Sequence, residues 1–335
     1  MGRVGIIGTG TWGIALAILL SENGHTVDAW SALPEEIDVL SKTRRNEHLG
    51  DVVIPDKICF TTDLAQACRE KDLLVLSVPS VYTRSVAARM RPFLSEGQLV
   101  VNVAKGIEER TLMTLAAQIR EELPGADVAV LSGPSHAEEV SRKIPTAVVA
   151  AAEDKQTADR VQDFFMSPVF RVYTSPDIIG VELGGSLKNV IALAAGISDG
   201  LGCGDNTKAA LLTRGMAEIS RLGIKMGGQE GTFAGLSGMG DLIVTCTSMH
   251  SRNRRAGILI GQGKTAKEAM DEVKMVVEGV YSAKAARLLG EKYQVDLPII
   301  EAVNQVLFDG KSPGEALTNL MCRQRKEELD SVLWQ

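Results

Sequence analysis

The chain has 335 residues, a formal net charge of -6, and 45% hydrophobic and 23% charged residues. That length favours two domains over one core, and the composition is that of a globular protein, not a disordered one. The acidic balance and the absence of a like-charge tail argue against nucleic acid as a partner.

The first residues open directly into a strand-like run at 4–7, with no basic segment followed by a long apolar one, so no signal peptide is visible. Further apolar runs at 26–30, 73–78, 99–103, 128–131 and 146–150 alternate with helical patterns at 14–22, 81–93 and 111–123. Strands alternating with helices at this spacing predict βαβ units and a doubly wound, mostly parallel sheet. The runs at 73–78 and 99–103 are continuous rather than alternating, as in strands buried on both faces. After Pro176 the pattern changes to Ala-, Leu- and Met-rich helical stretches at 187–196, 208–222, 265–273, 281–293 and 298–307, broken by glycines at 200–204 and 235–240. The expected fold is therefore α/β: a Rossmann-like dinucleotide-binding domain over 1–176, then an all-α substrate domain over 177–335, with the active site in the cleft between them. No stretch approaches the roughly 20 uninterrupted apolar residues of a membrane span. The five cysteines and four histidines lack disulfide or metal-ligand spacing, so a reduced, cytoplasmic protein without a metal is expected.

The turn Gly8-Thr9-Gly10-Thr11-Trp12-Gly13 has the context that a dinucleotide fingerprint needs: it follows a strand, opens a helix and is answered by a second strand. Gly8 permits the tight turn, Gly10 admits the pyrophosphate, and Gly13 allows close helix–sheet packing, while the helix start meets the phosphate charge. NAD and NADP are not distinguished: the second strand ends in Trp30-Ser31-Ala32, with neither an acid nor an arginine, and Glu35-Glu36 fit a helix start better.

Alcohol dehydrogenation needs a group to take the hydroxyl proton, and lysines that interrupt apolar or Gly-rich segments suit that work, because burial lowers an ammonium pKa. Lys105 follows a buried-strand pattern at its carboxyl end, where ligands bind in open α/β sheets, although a solvent-exposed loop lysine reads the same way. Lys188, beside Asn189, sits on a helix short of other charge; it either faces a ligand or snorkels to the surface. Asp241 lies among glycines that open space around its carboxylate, or else it caps a helix. Arg252-Asn253, in a basic stretch, suit a phosphate or an ordinary solvated face.

Together these stretches resemble the bacterial-type NAD(P)-dependent glycerol-3-phosphate dehydrogenases across the whole chain. The residues that carry the resemblance, in family order, are Gly8 to Gly13, Val103-Ala104-Lys105-Gly106, Ser132-Gly133-Pro134-Ser135-His136-Ala137, Glu182 to Asn189, Gly238 to Asp241, Ser251-Arg252-Asn253 and Val277-Glu278-Gly279. The resemblance implies reversible NAD(P)H-dependent reduction of dihydroxyacetone phosphate to sn-glycerol 3-phosphate, the entry to glycerophospholipid biosynthesis. It implies Lys188 as proton acceptor in oxidation and donor in reduction, with Lys105 touching cofactor and substrate and lowering the Lys188 pKa, and with Asp241 in the catalytic set. Gly133, Ser135, Asp241, Ser251, Arg252 and Asn253 would line the substrate site, Arg252 and Asn253 gripping the phosphate. Thr11, Trp12, Ala137, Arg252, Val276 and Glu278 would join the glycines at the cofactor, and a homodimer is expected. In the family an arginine commonly follows the tryptophan that ends the second strand; here Ser31-Ala32 stand there. Use of both cofactors, or a lean towards NAD, is expected.

Overall fold

Short β-branched and leucine-rich runs become the strands of one sheet: β1 (Arg3–Ile7), β2 (Thr26–Trp30), β3 (Ile58–Thr61), β4 (Leu73–Leu76), β5 (Gln98–Asn102), β6 (Ala126–Ser132), β7 (Thr146–Ala152) and β8 (Phe170–Ser175). The structure is a computed structural model that describes residues 1–325, 327 and 328; residue 326 and the end of the expected second domain, 329–335, lie outside the described residues. Strand order is β3-β2-β1-β4-β5-β6-β7-β8, and every neighbouring pair is parallel except β6 and β7. β4 and β5 are buried at every position, which is why their sequences are continuous apolar runs. The chain winds outward from β1 to β3, then returns to β4 on the other side of β1. The carboxyl ends of β1 and β4 thus form the topological switch point where ligands bind.

From Ile178 onward the described elements are all helical. The helix Ile178–Gly200 is the axis of this region. Its most apolar window has a mean hydropathy of 1.4, long and apolar enough to cross a membrane, but 94% of that window is buried inside the protein. It is a core helix. It also reaches the sheet region: Glu182 Oε1 accepts the Ala116 N–H at 2.8 Å, at the start of the helix Leu115–Glu122, and Ser186 Oγ donates to the Gly106 carbonyl at 3.1 Å. Burial raises the Glu182 carboxyl to about 7.

Two strands escape the sequence pattern. β3 and β8 are the sheet's edges, four and six residues long, with exposed positions interleaved, so their apolar signal is thin. The predicted helix over 81–93 is three pieces: 3₁₀ turns at Ser80–Tyr82 and Arg91–Phe93 flank the helix Thr83–Met90, with Pro92 in the second turn. The helix expected from 111 begins at Leu115, because Leu112 takes φ 61° and Thr114 caps the start. The helix expected over 187–196 runs from Ile178 to Gly200, straight through Gly184-Gly185.

Candidate active site

The turn after β1 is built for a close approach of backbone. Gly8 takes φ 117°, a conformation that an L side chain rarely adopts, and its N–H donates to the Trp30 carbonyl at 2.9 Å. A Cβ on Gly13 would strike the Gly8 carbonyl and the Ser77 hydroxyl, so the helix Thr11–Glu22 can pack here only with glycine at that position. A Cβ on Gly10 would meet nothing within 4 Å, and no side chain caps the helix start. Open space in front of an uncapped helix N-terminus, at the switch point, is the cradle that a pyrophosphate requires, so a nicotinamide dinucleotide fits the residues present.

Below this cradle three charged side chains meet. Lys105, just beyond β5, places Nζ 2.6 Å from Asp241 Oδ2 and 3.1 Å from the Gly133 carbonyl. Lys188, on the core helix, donates to Asp241 Oδ1 and, at 2.6 Å, to Thr245 Oγ1. One carboxylate thus bridges two ammonium groups contributed by opposite sides of the cleft.

The local sequence explains why they meet. Residues Leu236–Gly240 form a π-helical turn, a geometry frequent at functional sites, that leads into the helix Asp241–Thr247. Gly184 on the core helix leaves room for the Ser237 carbonyl, 2.6 Å from where a Cβ would stand. That close contact brings Asp241 against Lys188 one turn further on. Asp241 is the first residue of its helix and Gly240 is the cap, so the capping alternative for Asp241 gives way to a side chain directed at the lysines. The alternatives of a solvent-exposed Lys105 and a snorkelling Lys188 give way likewise: their side chains are 19% and 7% exposed, and Asp241 is 1% exposed.

Burial pulls the Lys188 ammonium down to about 8; Asp241 opposes the shift and the Lys105 charge adds to it. Lys188 can therefore be neutral or charged near physiological pH, as a group that exchanges protons must be. His136 is lowered too, first by burial and then by the Lys188 charge, and its Nε2 is buried with no hydrogen-bond partner.

The remaining expected residues fall into two groups. Gly133 and Ser135 stand beside Lys105, Ser135 Oγ donating to the Gly133 carbonyl at 2.9 Å. Ser251 caps the helix Arg252–Gly261, accepting the Arg254 N–H. Arg252 Nη1 donates to the Val276 carbonyl at 3.3 Å and faces Glu278, with burial lowering the guanidinium. Ala137 begins the short helix Ala137–Val140, buried against the core that also holds the helix Thr11–Glu22. Thr11 is buried and Trp12 half-buried in that same helix. Asn253, expected at the phosphate, is already engaged: Nδ2 donates to Asn189 Oδ1 at 2.9 Å and Oδ1 accepts the Gly279 N–H at 2.8 Å. It clamps three helices together. The stretch 251–255 is no solvated basic face either, because Arg254 pairs with the Asp199 carboxylate at 2.8 Å, which also holds Lys208.

Sequence reasoning missed two partners. Ser80, beyond β4, donates its hydroxyl to Glu278 Oε2 at 2.6 Å and its N–H to Oε1 at 3.2 Å, joining the two halves of the chain. Burial pushes the Glu278 carboxyl up, against those hydrogen bonds and the Arg252 charge. Thr245 supports Lys188 from one helical turn beyond Asp241, an i, i+4 relation that was open to reading.

The chain matches the family model described as NAD-dependent glycerol-3-phosphate dehydrogenase N-terminus over residues 3–158 and its C-terminus counterpart over 177–318. It is 61% identical to a protein from Agathobacter rectalis named glycerol-3-phosphate dehydrogenase of the NAD(P)+ type, covering 100% of both chains. It is 57% identical to one of the same name from Fusobacterium nucleatum, over 99% of this chain and 100% of that one. Among solved structures, it resembles a glycerol-3-phosphate dehydrogenase from Coxiella burnetii with a TM-score of 0.92 and 35% identity, covering 96% of this chain and 99% of that one. A ketopantoate reductase from Ralstonia eutropha, at 18% identity and a TM-score of 0.54, shares the fold alone.

Proposed function

The chain belongs to the NAD-dependent glycerol-3-phosphate dehydrogenase family, and from that premise we propose how its own residues carry the reaction. It is an NAD(P)-dependent oxidoreductase that interconverts dihydroxyacetone phosphate and sn-glycerol 3-phosphate, the step that supplies glycerophospholipid backbones. The bound nicotinamide supplies or accepts the hydride. Lys188 Nζ takes the hydroxyl proton in oxidation and returns it to the carbonyl oxygen in reduction. Lys105 contributes fixed positive charge beside the reacting oxygen and, with Lys188, draws an anionic substrate into the cleft. Asp241 orients both amines. With both lysines protonated the trio carries one net positive charge, which suits a phosphorylated substrate and a developing oxyanion. The observation that carries this reading is the buried Asp241 carboxylate bridging Lys105 and Lys188.

Gly133 and Ser135 line the substrate on the sheet side, and Ser251 and Arg252 on the helical side, with Arg252 as the phosphate ligand and Asn253 holding the helices around it. Gly8, Gly10, Thr11, Trp12 and Gly13 hold the pyrophosphate. Ala137, Val276 and Glu278 complete the cofactor contacts, and Glu278 is held in place by Ser80. Arg252→Ala is expected to raise KM for dihydroxyacetone phosphate by the equivalent of about 1.5–3 kcal/mol, the loss of one charge-assisted hydrogen bond, with a smaller effect on kcat. An unchanged KM in steady-state assays would remove Arg252 from the phosphate site. The reading as a whole is tested by NADH oxidation on adding dihydroxyacetone phosphate, with unphosphorylated dihydroxyacetone as the comparison. Strong preference for the phosphorylated ketone is expected, and equal turnover of the two would count against a phosphate site.

The division into domains is proposed at 176/177. β8 ends at Ser175, Asp177 caps the helix Ile178–Gly200, and the C-terminal family match starts at 177. A homodimer in the cytoplasm is proposed on the family resemblance. The free state of all five cysteines supports a reducing compartment, and analytical ultracentrifugation checks the oligomer.

A further inference from the structure

The far end of the cofactor cleft holds a feature that the sequence did not reveal. Ser31 is the first residue beyond β2, and its N–H donates to the Thr61 carbonyl at 3.2 Å. Its side chain is turned towards the following helix, Pro34–Thr43, where Ser31 Oγ donates to Glu36 Oε2 at 2.5 Å. The Leu33 N–H donates to Ser31 Oγ at 3.2 Å and closes the turn. Glu36, five residues beyond Ser31 in the chain, is thereby held against the end of β2.

In Rossmann folds the end of the second strand meets the ribose of the adenosine half, and the charge there separates NAD from NADP. Ser31 is buried, and its one hydroxyl hydrogen is already committed to Glu36, so it has no donor left for a phosphate. Glu36 joins no ion pair among the described residues, and its carboxylate offers only acceptors, which suit ribose hydroxyls and repel a 2′-phosphate. Of the cations near this corner, Arg44 donates to the Ile58 carbonyl at 2.8 Å and lies 3.8 Å from Asp56, and the Arg89 guanidinium stacks on the Trp30 ring at 5.4 Å, a contact that uses none of its N–H donors.

We propose that the Ser31–Glu36 pair selects NAD(H) over NADP(H), Glu36 acting as the specificity residue and Ser31 as the group that positions it. The inference rests on the reading that the Gly8 to Gly13 turn holds the dinucleotide. Titration calorimetry of the wild-type protein with NADH and with NADPH is the test, with 5′-AMP and 2′,5′-ADP isolating the ribose position. NADH is expected to bind about tenfold or more tightly than NADPH, a difference of about 1.4 kcal/mol or more. Glu36→Gln keeps an acceptor for Ser31 but removes the charge, and is expected to narrow that ratio severalfold, chiefly by tightening NADPH. Ser31→Ala frees the carboxylate and is expected to weaken NADH, with an unchanged melting temperature showing that the fold is intact. Equal binding of the two cofactors by wild type, or a ratio that Glu36→Gln leaves unmoved, overturns the proposal. So does a preference for NADPH, and loss of that preference in Arg89→Ala would assign the ribose position to Arg89. If neither dinucleotide binds, the reading of the glycine turn fails first and the selectivity with it.

Discussion

Lys188→Ala is expected to lower kcat by about 10²–10⁴-fold, the contribution typical of a positioned proton-transfer group. The side chain is almost fully buried, yet removing it should not unfold the protein. Its ammonium is costly to bury, and its loss leaves Asp241 still paired with Lys105 at 2.6 Å. Cofactor affinity, read by NADH fluorescence, should stay close to wild type, because the glycine turn lies on a different element from the core helix. A kcat within a few-fold of wild type would make Lys188 structural. A large loss of cofactor binding would place it at the wrong end of the cleft.

The second large effect is expected at Asp241. Asp241→Ala leaves two ammonium groups facing each other in a largely dry cleft with no counter-charge. Breaking a buried ion pair in this way costs about 3–5 kcal/mol, and the lower end applies here because the Lys105 side chain is 19% exposed. The sign with pH follows from Lys188. Asp241 holds its pKa up, so the variant's lysine falls below about 8 and sheds its proton more readily. Destabilisation should therefore be greatest at acid pH and should shrink as the solution becomes alkaline. Urea unfolding at several pH values measures this. Turnover should fall as well, because each amine then keeps one hydrogen bond, Lys105 to the Gly133 carbonyl and Lys188 to Thr245, and loses the carboxylate that sets their mutual position. Wild-type stability at pH 6 would show that the bridging carboxylate is not what holds the two amines together.

Much of this site was legible in the sequence because its residues violate local expectation. Lys188 stands out as a charge on a mostly apolar helix, and Lys105 as a charge at the end of a buried strand; in both cases desolvation must be compensated, and the compensating partner is the same aspartate. The six strands read correctly are the interior ones of the sheet, β4 and β5 being buried throughout, while β3 and β8, with exposed positions at the sheet edges, carry too little apolar signal. What stayed hidden is what depends on partners distant in the chain. Ser80 is an unremarkable serine until Glu278, 198 residues away, accepts its hydrogen bonds. Asn253 has the chemistry of a phosphate ligand, but its amide is committed to Asn189 and Gly279. The Gly184-Gly185 pair stands inside the core helix although glycine is a poor helix former. In the fold those glycines are where the π turn and the Ser132 hydroxyl come closest to the core helix, and tertiary packing outweighs the propensity.

The proton-transfer role of Lys188 is tested most directly by the pH dependence of kcat/KM, which reports the ionisation of groups in the free enzyme. For oxidation of sn-glycerol 3-phosphate the amine must be neutral, so kcat/KM is predicted to rise with pH and level off above about 8; for reduction of dihydroxyacetone phosphate the ammonium must be present, so kcat/KM is predicted to fall through the same value. A profile flat from acid to alkaline pH in both directions, or one whose inflection persists in Lys188→Ala, would contradict it.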